Sequence, residues 1–355
     1  MNPETLLNQS GFDFYFLVVE PFLGIDLPEL KNFHSLFLPQ LKVKNSGYLL
    51  SQPAVQKKIQ SSPKPLIIPF KPSAKIEHLC RQHHWTLAAN PAKLNRLLED
   101  KVKFYQLCHQ KKLPVINSLV APFNQKNFVL TQTHFGPDLV LQSHFGWAGN
   151  STHYFKDFSQ AKKHIPLGQL IKFSPRLKGF TVLNNACLTR HGLLQSPPAL
   201  QITGLFPLTK NPFATVGRQW PSNLSSSQIK KIQTITQDFA DKILRPLNYR
   251  GFFGLDFFIQ DQEIYLLECN PRLTASFAFY THLEKKSGLE PLFYYHLLEF
   301  TGLDYSLNTQ SLQQKINRAK IIGTELTQRN FQGTTIKKMQ YFKPVVIDSV
   351  LSDFT

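Results

Sequence analysis

The sequence predicts an α/β protein built of α+β lobes, a small N-terminal lobe followed by a larger part with antiparallel sheets. Two observations carry this reading. Near the N-terminus, short apolar runs alternate with a helical pattern. Further on, two aromatic and β-branched runs flank four polar residues, which is how a β-hairpin is written. The apolar runs are Phe14–Val19 (FYFLVV), Leu36–Leu38 and Leu66–Ile68. A helix over Ala74–His84 and a strand over Thr86–Ala89 complete an α/β lobe of residues 1–90. Residues 40–65, with Pro, Gln, Ser and Lys, read as an irregular connection. Asn90 is expected to cap a helix that starts at Pro91 and runs to about Lys112, before Pro114. Residues 127–185 read as short strands and loops (FVLTQ, LVLQS, IKF, GFTVLNNA). An amphipathic helix over 226–245 carries Ile229, Ile232, Ile235, Phe239 and Ile243 near helical spacing. The hairpin follows at 251–270, and the chain beyond about 300 is polar apart from Val345–Leu351. The expected division is 1–90, 91–300 (with a lid lobe at about 125–175) and a C-terminal extension, 301–355.

Composition narrows the class of function. With 42% hydrophobic residues, 30 of them Phe, the 355-residue chain can bury a sizeable core, which excludes disorder as its main state. Forty Lys and Arg against 23 Asp and Glu leave a net charge of +17, which favours acidic partners without choosing among them. The four cysteines form no CxxC pair, so free thiols in a reduced compartment are expected. No apolar run approaches the roughly 18–20 residues of a membrane helix, and no basic n-region opens the chain. A cytoplasmic protein without membrane attachment is the expectation. The chain has no Walker P-loop, GxGxxG, HExxH or GxSxG. No nucleic-acid-binding motif accompanies the charge.

The hairpin carries the chemistry. Phe252–Ile259 and Ile264–Cys269 are apolar, yet Asp256 and Glu268 sit inside them and not at the turn. Placing Asp256 opposite Glu268 pairs Gln260 with Ile264 and predicts a three-residue loop, 261–263. Two like charges opposed on a sheet repel, and in apolar surroundings each also bears a desolvation cost. A hard divalent cation such as Mg²⁺ (or Mn²⁺) removes both objections. Asn270 falls on the same face and offers an amide oxygen. Pro271 ends the strand, and Arg272 carries a guanidinium suited to phosphate.

The stretch GFFGLDFFI…IYLLECNPRLTAS resembles the signature of the ATP-grasp superfamily, in the group of biotin carboxylase-like and carboxylate–amine ligases. The resemblance spans about residues 90–300. It implies a two-lobed ATP-grasp core behind a small N-terminal domain of the kind that precedes such cores. It also implies that Asp256, Glu268 and Asn270 hold Mg²⁺ against the ATP phosphates, with Arg272 beside them. Asp100-Lys101, followed by LPV at 113–115, matches a helix start whose Lys reaches a nucleotide phosphate. A strand-end Lys and a glycine-rich flap would follow. Here Gln142 stands where that Lys is expected, and Gly146 and Gly149 are the glycines that remain. Ser143, Ser151 and Thr152 offer hydroxyls there, and His144 a partial charge. Residues 169–173 (QLIKF) fall where the adenine hinge is expected, which puts Lys172 near the nucleotide. GRQW at 217–220 resembles a turn of some members, with Arg218 on the substrate side.

The resemblance therefore implies an ATP- and Mg²⁺-dependent ligase. It would activate a carboxylate as acyl phosphate for attack by an amine or related nucleophile, with Lys101 and Arg272 as catalytic cations. The alternative is an ATP-binding protein of the same fold without turnover. The expected partners are ATP and small-molecule carboxylate and amine substrates; nucleic acid is disfavoured and a homodimer is left open.

Overall fold

The computed structural model describes residues 2–20, 23, 30–38, 45–146, 151–206 and 208–327. Three sheets organise a mixed α/β architecture. The first comprises β1 (Asp13–Leu17), β2 (Phe33–Leu36), β3 (Pro65–Pro69) and β4 (Thr86–Leu87). It is parallel, in the order β2-β1-β3-β4. A parallel sheet must be covered on both faces, and the alternation along β1 and β3 does this. Tyr15, Leu17 and Ile67 pack with Ile76, Leu79 and Cys80 of the helix Ala74–Gln82. Phe14, Phe16, Leu66 and Ile68 pack on the other side with Phe277 and Phe293. The stretch expected to be irregular holds two helices, Ser46–Leu50 and Pro53–Gln60. Asn45 caps the first and Pro53 opens the second, so the polar composition marks helix starts here.

The second sheet comprises β5 (Leu119–Pro122), β6 (Leu139–Gln142), β7 (Thr152–Phe155) and β8 (Leu170–Pro175). It is antiparallel, in the order β5-β8-β6-β7. FVLTQ, read above as a strand, lies inside the helix Gln125–Phe135, which Asn124 caps. Its Phe128 and Thr131 are buried while Val129 and Leu130 are exposed. That is helical spacing, which a short apolar run does not reveal.

The third and largest sheet comprises β9 (Phe180–Thr189), β10 (Gly192–Gln195), β11 (Ala199–Thr203), β12 (Thr215–Trp220), β13 (Gly251–Gln260), β14 (Glu263–Asn270) and β15 (Gly323–Leu326). Its order is β14-β13-β9-β11-β12-β15, with β10 on β9. Phe253, Leu255, Phe257 and Ile259 of β13 form one core with Ile232, Ile235 and Phe239 of the helix Ser226–Phe239. The opposite face of β13 carries Asp256. Beyond 300, the helix Thr309–Arg318 and β15 are described, while Val345–Leu351 lies outside the described residues. All four cysteines are free and buried. No helix among the described residues is long and apolar enough to cross a membrane.

Candidate active site

Asp256 stands opposite Glu268, as the hairpin pattern requires, but the loop differs from the three residues expected. Gln260 pairs with Glu263, so the turn is Asp261-Gln262. Asp261 has φ 52°, a left-handed conformation that Asp tolerates. The extra residue sits in a β-bulge beside Asp256, where Phe257 pairs with Leu266 and Leu267 is skipped. The bulge decides what faces what. Ile264, Leu266 and Cys269 all lie in the core under the helix Ser226–Phe239. In an unbroken strand Glu268 would follow Ile264 and Leu266 onto that core face. One unpaired residue turns Glu268 and Asn270 to the other side, beside Asp256.

Beyond Leu183 of β9, the same face carries a second set of polar groups. Gln201 on β11 donates to Asp256 Oδ1 at 2.9 Å. Arg218 pairs in register with Gln201, and Glu325 on β15 with Arg218. Arg218 Nη1 meets Glu325 Oε1 at 2.9 Å. The GRQW segment is thus strand β12 and not a turn, because its four residues pair with β15.

The helix expected from Pro91 to Lys112 is broken into Ala92–Glu99 and Lys101–Gln110. Asn90 does not cap it. Its side chain instead bridges both backbone polar groups of Arg250, at 2.6 and 3.0 Å. Asp100 is extended (ψ 106°) and caps the second helix, accepting from the amides of Val102 and Lys103 at 3.1 Å each. The break leaves Glu99, Asp100 and Lys101 reaching three different parts of the molecule. Lys101 Nζ lies 2.6 Å from Glu268 Oε2. Asp100 meets His144 Nδ1 at 2.8 Å, at the root of the β6–β7 connection. Glu99 Oε1 accepts from Arg272 Nε at 2.7 Å, and Glu99 Oε2 is ion-paired with Lys71, just past β3.

Electrostatics sort the two acids. Burial, and then the Glu268 charge, push the Asp256 carboxyl well above the usual carboxylate range. Burial pushes Glu268 the same way, but Lys101 beside it outweighs this and holds it below its ordinary value. Burial likewise opposes the charge on Lys101, and Glu268 outweighs it, so the ammonium is held above its usual range. The donor set fits a hard divalent ion. Two opposed carboxylates, one of which resists ionising alone, flank an amide, and Mg²⁺ asks for one or two carboxylates plus substrate phosphates. Among the described residues no three His, Cys, Asp or Glu side chains converge, here or elsewhere, so the site's protein ligands would be two carboxylates and an amide.

Asn270 and Arg272 are tied to each other. Asn270 Nδ2 donates to Asp256 Oδ2 at 3.1 Å, and its Oδ1 accepts from Arg272 Nη2 at 3.1 Å. Arg272 also donates to the Leu273 carbonyl at 3.0 Å and lies 4.6 Å over the Phe70 ring. The guanidinium therefore braces the hairpin against the N-terminal sheet. Pattern reading did not single out Glu99, Lys71, Phe70 or Gln201. The one sequence signal for any of them is the charged triplet Glu99-Asp100-Lys101 between two apolar helix faces.

The second sheet brings the remaining candidates. Gln142 ends β6, and its Nε2 donates to Thr152 Oγ1 at 3.1 Å. Lys172 on β8 is its direct register partner. Ser143 N donates to Ser151 O at 3.1 Å, and the Gly146 carbonyl accepts from Lys101 Nζ at 3.4 Å. Gly146 has no room for a side chain, since a Cβ there would lie 2.0 Å from Ser151 Oγ. Gly149 lies outside the described residues.

A sequence model of the ATP-grasp domain matches residues 208–276. No curated protein matches by sequence. Among solved structures, carboxyaminoimidazole ribonucleotide synthase from Aspergillus clavatus, complexed with ATP, is 13% identical with a TM-score of 0.61, covering 86% of this chain and 80% of its own. A biotin carboxylase complex with a nucleotide from Campylobacter jejuni is 12% identical with a TM-score of 0.62, covering 88% and 74%. The biotin carboxylase domain of the Hydrogenobacter thermophilus 2-oxoglutarate carboxylase, a dimer with MgADP, ADP and bicarbonate, is 10% identical with a TM-score of 0.60, covering 88% and 73%. The chain thus resembles the ATP-grasp superfamily in sequence at its hairpin, and it has the ATP-grasp fold over most of its length.

Proposed function

We propose that the protein is an ATP- and Mg²⁺-dependent ligase that joins a carboxylate to an amine or related nucleophile. The observation that carries this is the opposed pair Asp256–Glu268 with Lys101 against Glu268. Asp256, Glu268 and Asn270 would hold Mg²⁺, which supplies charge neutralisation at the phosphates. The substrate carboxylate oxygen attacks the γ-phosphorus and ADP leaves. The nucleophile's nitrogen then attacks the acyl carbon, phosphate departs with the bonding pair, and the nitrogen loses a proton. The chain's own share is electrostatic and positional. Lys101 offsets charge on the transferred group. Arg272 fixes Asn270 and the strand end through its contacts to Glu99, Asn270 and Phe70. Arg218, on the same sheet face and ion-paired with Glu325, would meet a carboxylate-bearing substrate.

The neutral Gln142 favours a second reading, a nucleotide-binding protein without turnover. ADP release, measured with Mg²⁺ and ATP across a panel of carboxylates and amino acids, separates the two. Release that depends on one acid and one amine is the expected result. Tight ATP binding with no release on any member would support the second reading, and absence of ATP binding would overturn both.

A further inference from the structure

The geometry points to Lys172 as a ligand of the nucleotide's phosphates, placed on β8 to supply the positive charge that Gln142 on β6 lacks. The inference rests on the nucleotide-binding reading above and adds to it a residue and the part of the ligand it holds. Lys172 is 5% exposed. A buried ammonium ordinarily has an acid beside it, because desolvating the charge alone costs several kcal/mol. Among the described residues Lys172 makes no ion pair and no hydrogen bond. Its Nζ lies 5.7 Å from the centre of the Tyr105 ring, and Lys101, Glu268 and Cys108 are the titratable groups that act on it.

Placement does the rest. Tyr105 lies one helical turn after Lys101, so the two share a face of the helix Lys101–Gln110. Lys172 thus approaches the face from which Lys101 reaches Glu268. Gln142 and Lys172 are directly opposed on adjacent antiparallel strands and point to one side of the second sheet. Glu268 is already satisfied by Lys101 at 2.6 Å, so one positive charge is left over between the two sheets. Burial, and then the Lys101 charge, disfavour the Lys172 ammonium in the free protein, and Glu268 offsets them only in part. A polyanion entering between the sheets relieves both. An adenine ring, which carries no charge, relieves neither.

The test is calorimetric binding of ATP, ADP and adenosine, in the presence of Mg²⁺, to the full chain. Lys172→Met keeps the apolar stem and removes the charge. It should weaken ATP and ADP roughly tenfold or more, the value of a charged hydrogen bond, and leave adenosine unchanged. Adding Gln142→Lys to Lys172→Met should restore most of the loss, and Lys172→Arg should retain ATP binding. The rescue guards against a variant that merely folds badly. Equal weakening of adenosine and ATP would place Lys172 at the base and overturn the inference while leaving nucleotide binding intact. Unchanged ATP affinity in Lys172→Met would overturn it too. A wild-type chain that binds none of the three would sink the nucleotide reading itself.

Discussion

The two antiparallel sheets treat charge in opposite ways. On the large sheet each charged group of the hairpin that faces the site has a partner. Glu268 has Lys101, Asp256 has Gln201 and Asn270, and Arg272 has Glu99. The half of the site on this side is assembled and neutralised within the protein. On the second sheet Gln142 and Lys172 face each other, and among the described residues Lys172 forms no ion pair, Glu268 acting on it only at a distance. That half carries a buried ammonium without an ion pair, and on the inference above an anionic ligand completes it. The difference teaches where the protein spends order in advance and where a ligand must supply it.

The assembled half is tested most severely at its centre. Glu268→Ala removes an acid from the Asp256 pair and the partner of Lys101. ADP release should fall by roughly a hundredfold or more, because charge placed for the transferred phosphoryl group is lost. Near-ultraviolet dichroism should keep its native form, since Glu268 is only half-buried at 34% side-chain exposure. Normal turnover in that variant would end the metal assignment and with it the contrast between the sheets.

A smaller effect is expected at the brace. Glu99 is 10% exposed and holds Arg272 and Lys71 together, joining the hairpin to the first sheet. Glu99→Gln leaves two cations facing a neutral amide. Breaking a buried pair in this way costs about 3 kcal/mol. The thermal midpoint should drop by roughly 4 °C, followed by dye binding or calorimetry. ATP affinity should change less than turnover, because Arg272 acts on Asn270 and the strand end. An unchanged midpoint would mean that the hairpin does not depend on its paired charges.

How much of this was readable beforehand depends on the reach of each signal. The opposed acids were legible because two apolar runs and a polar turn constrain pairing within twenty residues. The turn was misread because a bulge and a longer loop place Asp256 opposite Glu268 equally well. Only burial of Ile264, Leu266 and Cys269 on one face distinguishes them. The break at Asp100 was invisible, since Asp both tolerates a helix interior and caps a new helix. Glu99–Arg272 joins residues 173 positions apart, and no local pattern encodes such a contact. Lys172 is expected near the nucleotide because QLIKF falls where the adenine hinge is expected. Its opposition to Gln142 emerged only from strand register, which sequence spacing across a loop does not determine.

The finest test of the contrast uses protons. Burial, and then the Lys101 charge, lower the Lys172 pKa from 10.5 to about 8. Glu268 and Cys108 are the other groups facing it; Glu268 opposes the shift, and burial keeps the Cys108 thiol neutral. Between about 8 and 10.5 the unfolded chain binds more protons at this position than the folded one, so this group's contribution to stability rises with pH across that window. Lys101 acts in the opposite sense above its ordinary range, because its folded value is raised. Nucleotide binding reverses the sign at Lys172, since an anion favours the charged form. ATP binding near pH 8 should therefore take protons from the buffer. Binding enthalpies in two buffers of different ionisation heat report that uptake. It should fade toward pH 6 and vanish in Lys172→Met. Zero uptake at pH 8 in the wild type would mean that no anion meets Lys172, and the second sheet would not be the half left for the ligand to complete.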